Sequence, residues 1–469
     1  MYNPSDKNSI LAFAQQLQSQ RLRNCIDVSA MAKVYRGKGN FGQLLEKYYF
    51  GYDLNSASEP DFAQAGLELK TAPLKVLKTK AYRSKERLVL NLINYVEIVD
   101  EVFETSSFIQ KNAHILLVFY EHQPEVNALD LQIKLVGDWR FPPADLEVIR
   151  QDWSSIVQKI KAGKAHELSE GDTFYLAACT KGANANSLRR QPHSAQPAMQ
   201  RAFSLKQGYV NHIIANLAGD AKPNYGKLLV AAPEIQSESI EAVVLRKLRP
   251  YCGKSIAQLT AEAGVALNDK AKNFTANLTN LLLGVELDKQ IEEFEKAEIT
   301  VKTVRLSESN LPKESMSFPH FKYEEIAQIQ WEDSEFKQRL ERKFLVVFLK
   351  YIAGELYFDK AVFWNMEPQH LLEAQRVWLA TQALVRAGTI VTAIKNGRRF
   401  TAFPTKQFSA VAHVRPHARN AADVFPLPVP DVLTGLQAYT KHCFWLNNHF
   451  IRDAIYLKSQ RATVIDLFS

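Results

Sequence analysis

Cysteine is scarce in this chain. Four occur among 469 residues (Cys25, Cys179, Cys252 and Cys443), scattered and without a CxxC pair. That usage argues against a zinc site or a disulfide framework, and it suits a reducing compartment. The eleven histidines read as surface or groove residues rather than zinc ligands. No apolar run approaches the length that crosses a bilayer, so no membrane association is expected. The opening MYNPSDKNS is polar and lacks the charged-then-apolar layout of a signal peptide, which makes a cytoplasmic location the expectation. Acidic residues are outnumbered: 58 Lys and Arg face 50 Asp and Glu, a net charge of +8. A basic balance suits a polyanionic partner, because each cation beside a phosphate releases counterions.

The length exceeds what one hydrophobic core usually serves, so two domains are expected. Mixed apolar and polar spacing predicts helices over 9–22 and 84–100. His114-Ile-Leu-Leu-Val-Phe-Tyr120 reads as a buried strand, and a further helix is expected over 144–162 after Pro142-Pro143. Turn formers crowd the stretch from Ala218 to Glu238 (Gly219, Pro223, Gly226, Pro233) and suggest a connection between domains.

An internal repeat runs across that connection. Asn40-Phe-Gly-Gln-Leu-Leu-Glu46 resembles Asn273-Phe-Thr-Ala-Asn-Leu-Thr279. Asp61-Phe-Ala-Gln-Ala-Gly-Leu-Glu-Leu-Lys-Thr71 resembles Glu293-Phe-Glu-Lys-Ala-Glu-Ile-Thr-Val-Lys-Thr303. His114–Phe119 resembles Lys343–Phe348, Lys181-Gly-Ala-Asn-Ala185 resembles His417-Ala-Arg-Asn-Ala421, and Ala202–Leu205 resembles Cys443–Leu446. Five matches in one order predict two copies of one α/β (α+β mixed) fold: a first domain over 1–220, a linker over 221–234 and a second domain over 235–469.

The chemistry concentrates in the first copy. Glu68 and Lys70 are two apart in Leu-Glu-Leu-Lys, so strand alternation puts both on one face. Asp61 follows Pro60, and a bend could bring it beside Glu68. Two carboxylates plus the Leu69 carbonyl offer hard oxygen ligands for Mg²⁺. Such a metal polarises a phosphate and lowers the pKa of an attacking water. Lys70 would orient that water and stabilise the growing negative charge. Glu46 could add a further carboxylate, with Lys38 near the phosphate. In a chain that is 23% charged, a lone D-x6-E-x-K match is more often a solvated strand. The apolar setting of Leu67-Glu-Leu-Lys shifts that balance.

Lys38-Gly-Asn-Phe-Gly-Gln-Leu-Leu-Glu46, followed by Pro60-Asp61-Phe and Gly66-Leu-Glu-Leu-Lys-Thr71, resembles the MutH family. That family joins a mismatch-repair nicking enzyme with GATC-cutting restriction enzymes of the Sau-three-A type. Lys181-Gly-Ala-Asn184-Ala and Phe203-Ser204-Leu-Lys206 also resemble its C-terminal part. The resemblance covers most of 25–212 and, more faintly, 250–452. It implies two restriction-endonuclease-like domains, each a central mixed sheet flanked by helices. It implies Mg²⁺-dependent cleavage of double-stranded DNA before the G of GATC, with a cognate DNA methyltransferase as genetic partner. Asp61, Glu68 and Lys70 match the family's catalytic triplet, Glu46 and Lys38 its helix positions, and Lys111 loosely a further lysine.

The second copy has Thr279 for Glu46, Thr300 for Glu68, Glu293 for Asp61 and Lys302 for Lys70. Losing two carboxylates leaves too little charge for Mg²⁺, so this copy is expected to bind rather than cut. His413-Val-Arg415-Pro-His417-Ala-Arg-Asn420-Ala resembles the family's base-reading loop, with Arg415 suited to guanine or, as the plainer alternative, to phosphate. Trp445 and His449 sit where the family places further groove contacts. In the first copy Cys179 stands opposite Arg415, leaving Lys181, Arg189, Arg190 and Lys206 as donors. The basic stretch 74–87 and Arg398-Arg399 are groove candidates or solvated faces. The expectation is a restriction endonuclease with an effector-binding second copy. A nicking enzyme and a non-catalytic GATC-binding protein are the alternatives. Cutting both strands with one active copy needs either two chains on the DNA or two successive nicks.

Overall fold

The computed structural model describes residues 2–27, 41–52, 59–182, 186–219, 225–228, 238–271 and 273–459. The chain divides into two compact units. Unit 1 comprises Met1–Ile240 with Asp288–Glu298, and unit 2 comprises Glu241–Leu287 with Ile299–Ser469. The expected linker over 221–234 lies largely outside the described residues.

Unit 1 opens with α1 (Lys7–Gln15), capped by the Asp6 carboxylate, which accepts from the Asn8 amide at 3.0 Å. The helix is shorter than expected, and left-handed Ser19 (φ 66°) lies in the turn beyond it. Next comes α2, a helical turn at Phe41–Leu44 that widens into a π-helical stretch over Leu45–Phe50. The main sheet holds β1 (Glu68–Val76), β2 (Tyr82–Ser84), β4 (Ile115–Glu121) and β5 (Ile133–Trp139) in the order β2-β1-β4-β5. β1 runs parallel to β4, and β4 runs antiparallel to β5. Ile115 to Phe119 are fully buried, which explains an unbroken apolar run where an exposed sheet would alternate. Pro73 is tolerated because β1 begins to pair with β2 only at Leu74.

A second sheet has the order β3-β9-β6, from β3 (Leu88–Leu92), β6 (Leu176–Thr180) and β9 (Arg201–Leu205). The hairpin of β7 (Leu188–Gln191) and β8 (Ser194–Met199) stands between β6 and β9. The helix expected over 84–100 is therefore corrected. Leu88-Val-Leu-Asn-Leu satisfies either period, and its backbone pairs antiparallel with β9 while Leu88 and Leu90 are buried. Helices α3 (Ser107–Asn112), α4 (Pro143–Lys161) and α5 (Gln207–Ala218) complete the unit. A two-residue pairing of β10 (Tyr225–Gly226) with β11 (Gln290–Ile291) ties in the distant segment 288–298.

Unit 2 repeats this plan. Helix α6 (Phe274–Leu283) precedes β12 (Thr300–Leu306). β12 runs parallel to β14 (Phe344–Ile352), which pairs antiparallel with β15 (Glu355–Trp364). Helix α7 (Pro368–Ala387) follows β15 as α4 follows β5, each with proline in its first turn. Strands β13 (Met316–His320), β18 (Ala412–Pro416) and β21 (His442–Leu446) form a sheet ordered β13-β21-β18, matching β3-β9-β6. The correspondence reaches single bonds: the Glu68 amide donates to the His114 carbonyl, and the Thr300 amide donates to the Lys343 carbonyl, both at 3.0 Å. Unit 2 adds one hairpin, β16 (Val391–Lys395) with β17 (Arg398–Thr401). A mixed α/β fold in two like regions is thus present. Among the described residues no helix is long and apolar enough to cross a membrane.

Candidate active site

The loop before β1 closes on itself. Phe62 and Leu67 exchange backbone hydrogen bonds around the turn Ala63–Ala65, and Gly66 takes a left-handed φ of 59° that a side chain would resist. This brings Asp61 beside Glu68. The Asp61 carboxylate accepts from the Leu69 amide at 2.9 Å, and the Glu68 carboxylate accepts from the Asp61 amide at 3.1 Å. Each acid is held by the other's local backbone. The Lys70 ammonium donates to Glu68 Oε1, as alternation along β1 requires. Lys111, on α3, lies 3.8 Å from the same oxygen.

Glu46 enters from the π-helical part of α2. The helix sits close to β1 because residue 42 is glycine: a Cβ there would lie 3.0 Å from Thr71 Oγ1. Burial, then Asp61 and Glu68, push the Glu46 carboxyl up to about 7, against the pull of Lys70 and Lys111. Glu68, 1% exposed, is likewise raised by burial, with Lys70 opposing. Three carboxylates therefore face two ammonium groups in a partly dry corner. Tyr52, which the sequence reading missed, adds a further polar group. Among the described residues its buried hydroxyl has no hydrogen-bond partner, and burial together with Asp61, Glu46 and Glu68 raises the phenol. No local pattern marks Tyr52; its place follows from packing on Phe50 and Phe62.

The donor set fits a hard divalent cation. The excess of carboxylate wants positive charge, and magnesium is commonly held by one or two carboxylates plus waters. Among the described residues no group of three or more His, Cys, Asp and Glu forms a ready-made metal cage. Asp61 and Glu68 are the available carboxylate ligands, and the Leu69 carbonyl belongs to the same peptide segment.

The corresponding corner of unit 2 differs in kind. Thr279 is buried and donates to the Thr275 carbonyl at 2.8 Å. Thr275, standing where unit 1 has Gly42, accepts from the Thr303 hydroxyl at 2.8 Å. Glu293, the counterpart of Asp61, is buried in unit 1 and accepts from the Leu228 amide at 3.0 Å. Among the described residues the Lys302 ammonium reaches only the Ser317 carbonyl, at 3.5 Å.

The expected DNA-facing residues separate into two groups. Lys181, Arg415, His417 and Asn420 are exposed. Arg415 lies next to the end of β18 with its guanidinium 3.9 Å from the centre of the Trp445 ring. Register places Cys179 opposite Ala202 and Arg415 opposite Cys443, so the two residues are equivalent. The His417 carbonyl accepts from His320 at 2.8 Å. The Asn420 side chain caps its own loop through the Ala422 and Asp423 amides. Ser204 and Lys206 are corrected. Ser204 is fully buried, bonded to the Ala177 carbonyl. Lys206 is buried, donating to the Thr173 and Ala297 carbonyls. Trp445 is also buried, a platform beneath Arg415 rather than a groove-facing ring. Lys38 and Asn184 lie outside the described residues.

Comparison with known proteins gives concordant results. The family described as DNA mismatch repair enzyme MutH matches residues 50–152 and 284–373, once in each half of the chain. The type II restriction enzyme Sau3AI of Staphylococcus aureus is 38% identical over 92% of this chain and 95% of its own length. The DNA mismatch repair protein MutH of Shewanella woodyi is 29% identical, covering 40% of this chain and 80% of its own. That of Yersinia enterocolitica is 27% identical over 45% of this chain and 93% of its own.

Proposed function

The chain belongs to the MutH family, in the two-copy form shared with the restriction enzyme Sau3AI, and from that premise we propose that it is a type II restriction endonuclease that cleaves duplex DNA at GATC. One observation carries the assignment of roles: Asp61, Glu68 and Lys70 are locked together in unit 1, while unit 2 has Thr300 at the position of Glu68.

In this reading Asp61, Glu68 and the Leu69 carbonyl hold Mg²⁺, which supplies Lewis-acid polarisation of the phosphate and a more acidic water. Lys70 positions the attacking water and offsets charge developing on the phosphate, and Lys111 provides a second cation beside Glu68. Glu46 contributes negative charge from the helix side. Unit 2 binds a second GATC as an effector. Arg415 reads guanine, because stacking on Trp445 fixes the plane of its guanidinium for a bidentate contact. A cognate methyltransferase protects the host genome, and the enzyme works in the cytoplasm.

The experiment is a digest of GATC plasmid with fragment ends sequenced, in Mg²⁺ or EDTA, for wild type and Glu68→Ala. Wild type should cut only with Mg²⁺, and Glu68→Ala should lose roughly a thousand-fold or more in rate while still binding GATC duplex. Undiminished cutting by Glu68→Ala would remove the site assignment. Since only unit 1 has the carboxylate set, both strands are cut by two chains or by successive nicks. Accumulation of open circles ahead of linear DNA would mark successive nicks, and direct conversion to linear DNA would mark two chains acting together.

A further inference from the structure

Unit 2 keeps a cavity of about 580 Å³ at the corner of β12 and α6, the counterpart of the corner that in unit 1 gathers the carboxylates. Its charged lining is Lys302, Arg305 and Lys313 against Asp269 and Glu314. Arg305 is 3.5 Å from Asp269, so those two offset each other. Lys313 lies over the Tyr351 ring, 3.8 Å from its centre. Lys302 has no ion pair among the described residues. Its amine is half-buried, and burial and then Arg339 lower its proton affinity. A cation in that position gains from any anion that enters.

The contrast with unit 1 is one of sign. There Lys70 and Lys111 are outnumbered by Glu46, Asp61 and Glu68, so a phosphate is repelled until a divalent cation arrives. In unit 2, threonines stand for Glu46 and Glu68, and the Glu293 carboxylate is engaged with the Leu228 amide in unit 1. What remains is a polar cavity with excess positive charge. Thr275 and Thr303 supply hydroxyls along its wall.

We propose that this cavity is a phosphate-binding site that works without a divalent cation, and that it clamps a phosphodiester of duplex DNA, uncut, through Lys302. The proposal rests on the reading that unit 2 binds DNA, and it adds where the backbone is held and why no metal is needed. Substitution of the two carboxylates removes both the metal requirement and the means of hydrolysis.

The test measures binding of a labelled GATC duplex to the full chain in EDTA, by fluorescence anisotropy over a KCl series. Wild type, Lys302→Met, Lys302→Arg and Arg415→Ala are compared. Methionine keeps the buried stem without the charge, and thermal melts check that the variants fold. Wild type should bind without metal. Lys302→Met should weaken binding roughly ten-fold and lower the salt slope by about one, and Lys302→Arg should restore most of both. If Arg415→Ala weakens binding while Lys302→Met changes neither affinity nor slope, the clamp is wrong and the DNA-binding reading of unit 2 survives. If neither variant has an effect, that reading fails and the clamp with it. Wild-type binding that appears only on adding Ca²⁺ overturns the metal independence. Inorganic phosphate is the second probe. If it raises the melting temperature of wild type but not of Lys302→Met, with the DNA slope unchanged, the cavity takes a free anion and the DNA assignment is overturned.

Discussion

At the scale of single residues, the triplet Asp61, Glu68 and Lys70 was legible because its geometry is short-range. Two members share a strand of period two, and the third is one tight turn away. Lys111 and Tyr52 were not legible in the same way, since α3 and the end of α2 reach the site only through tertiary packing. Lys111→Ala should lower kcat about ten- to a hundred-fold with little change in KM, because a cation beside Glu68 acts on charge that develops during reaction; steady-state kinetics on a GATC duplex checks this. A pH effect belongs to unit 2. His442 and His413 are both pushed down to about 4, first by burial, against hydrogen bonds that the rings donate to the Thr440 carbonyl and the Asn447 side-chain oxygen respectively. Their ordinary value is 6.5, so the fold prefers the neutral rings. Their contribution to stability is complete above that value and is lost as pH falls through it towards the folded one. Each histidine then adds up to about 1.4 kcal/mol per pH unit to the fall in stability. Urea midpoints measured from pH 7.5 down to pH 5 should drop, and the slope should be shallower in His442→Gln.

At the scale of elements, the repeat gave the strands better than the helices. Apolar runs such as Ile115–Phe119 and Phe344–Leu349 are buried on both faces and are unmistakable in sequence. Leu88–Leu92 was misread because its spacing suits helix or strand, and only pairing with β9 decides. The segment 288–298 carried no local sign that it packs in unit 1. There the Lys296 ammonium is buried between Asp145, at 2.9 Å, and Glu292, at 2.8 Å. Its helix, Glu292–Ala297, lies against α5 at Gly208, where a Cβ would come within 2.0 Å of the Glu295 carbonyl oxygen. Gly208→Ala must push that helix away. It should cost about 1–3 kcal/mol, seen as a lower melting temperature and faster proteolysis around 284–300. A melting temperature equal to wild type would show that the contact is slack.

At the scale of the whole molecule, two like units carry different chemistry on one plan. One holds excess carboxylate and suits a metal; the other holds excess ammonium and suits phosphate. If unit 2 is an effector site, plasmid with two GATC sites should be cut about five-fold or more faster per site than plasmid with one. Arg415→Ala should erase that advantage while leaving one-site cutting in place. Equal rates on both plasmids for wild type would exclude the coupling.

The sequence by itself determined the duplication, the family resemblance, and which half keeps its carboxylates, because these follow from residue type and local spacing. Tertiary structure alone decided that Ser204 and Lys206 are buried, that Trp445 is a platform for Arg415, and that Glu293 serves unit 1. It also decided that the Glu46 carboxyl is raised to about 7. Burial and electrostatic field are sums over neighbours far apart in the chain, and no window of sequence contains them. The triplet was readable because its members are neighbours along the chain; the charge that surrounds it was not.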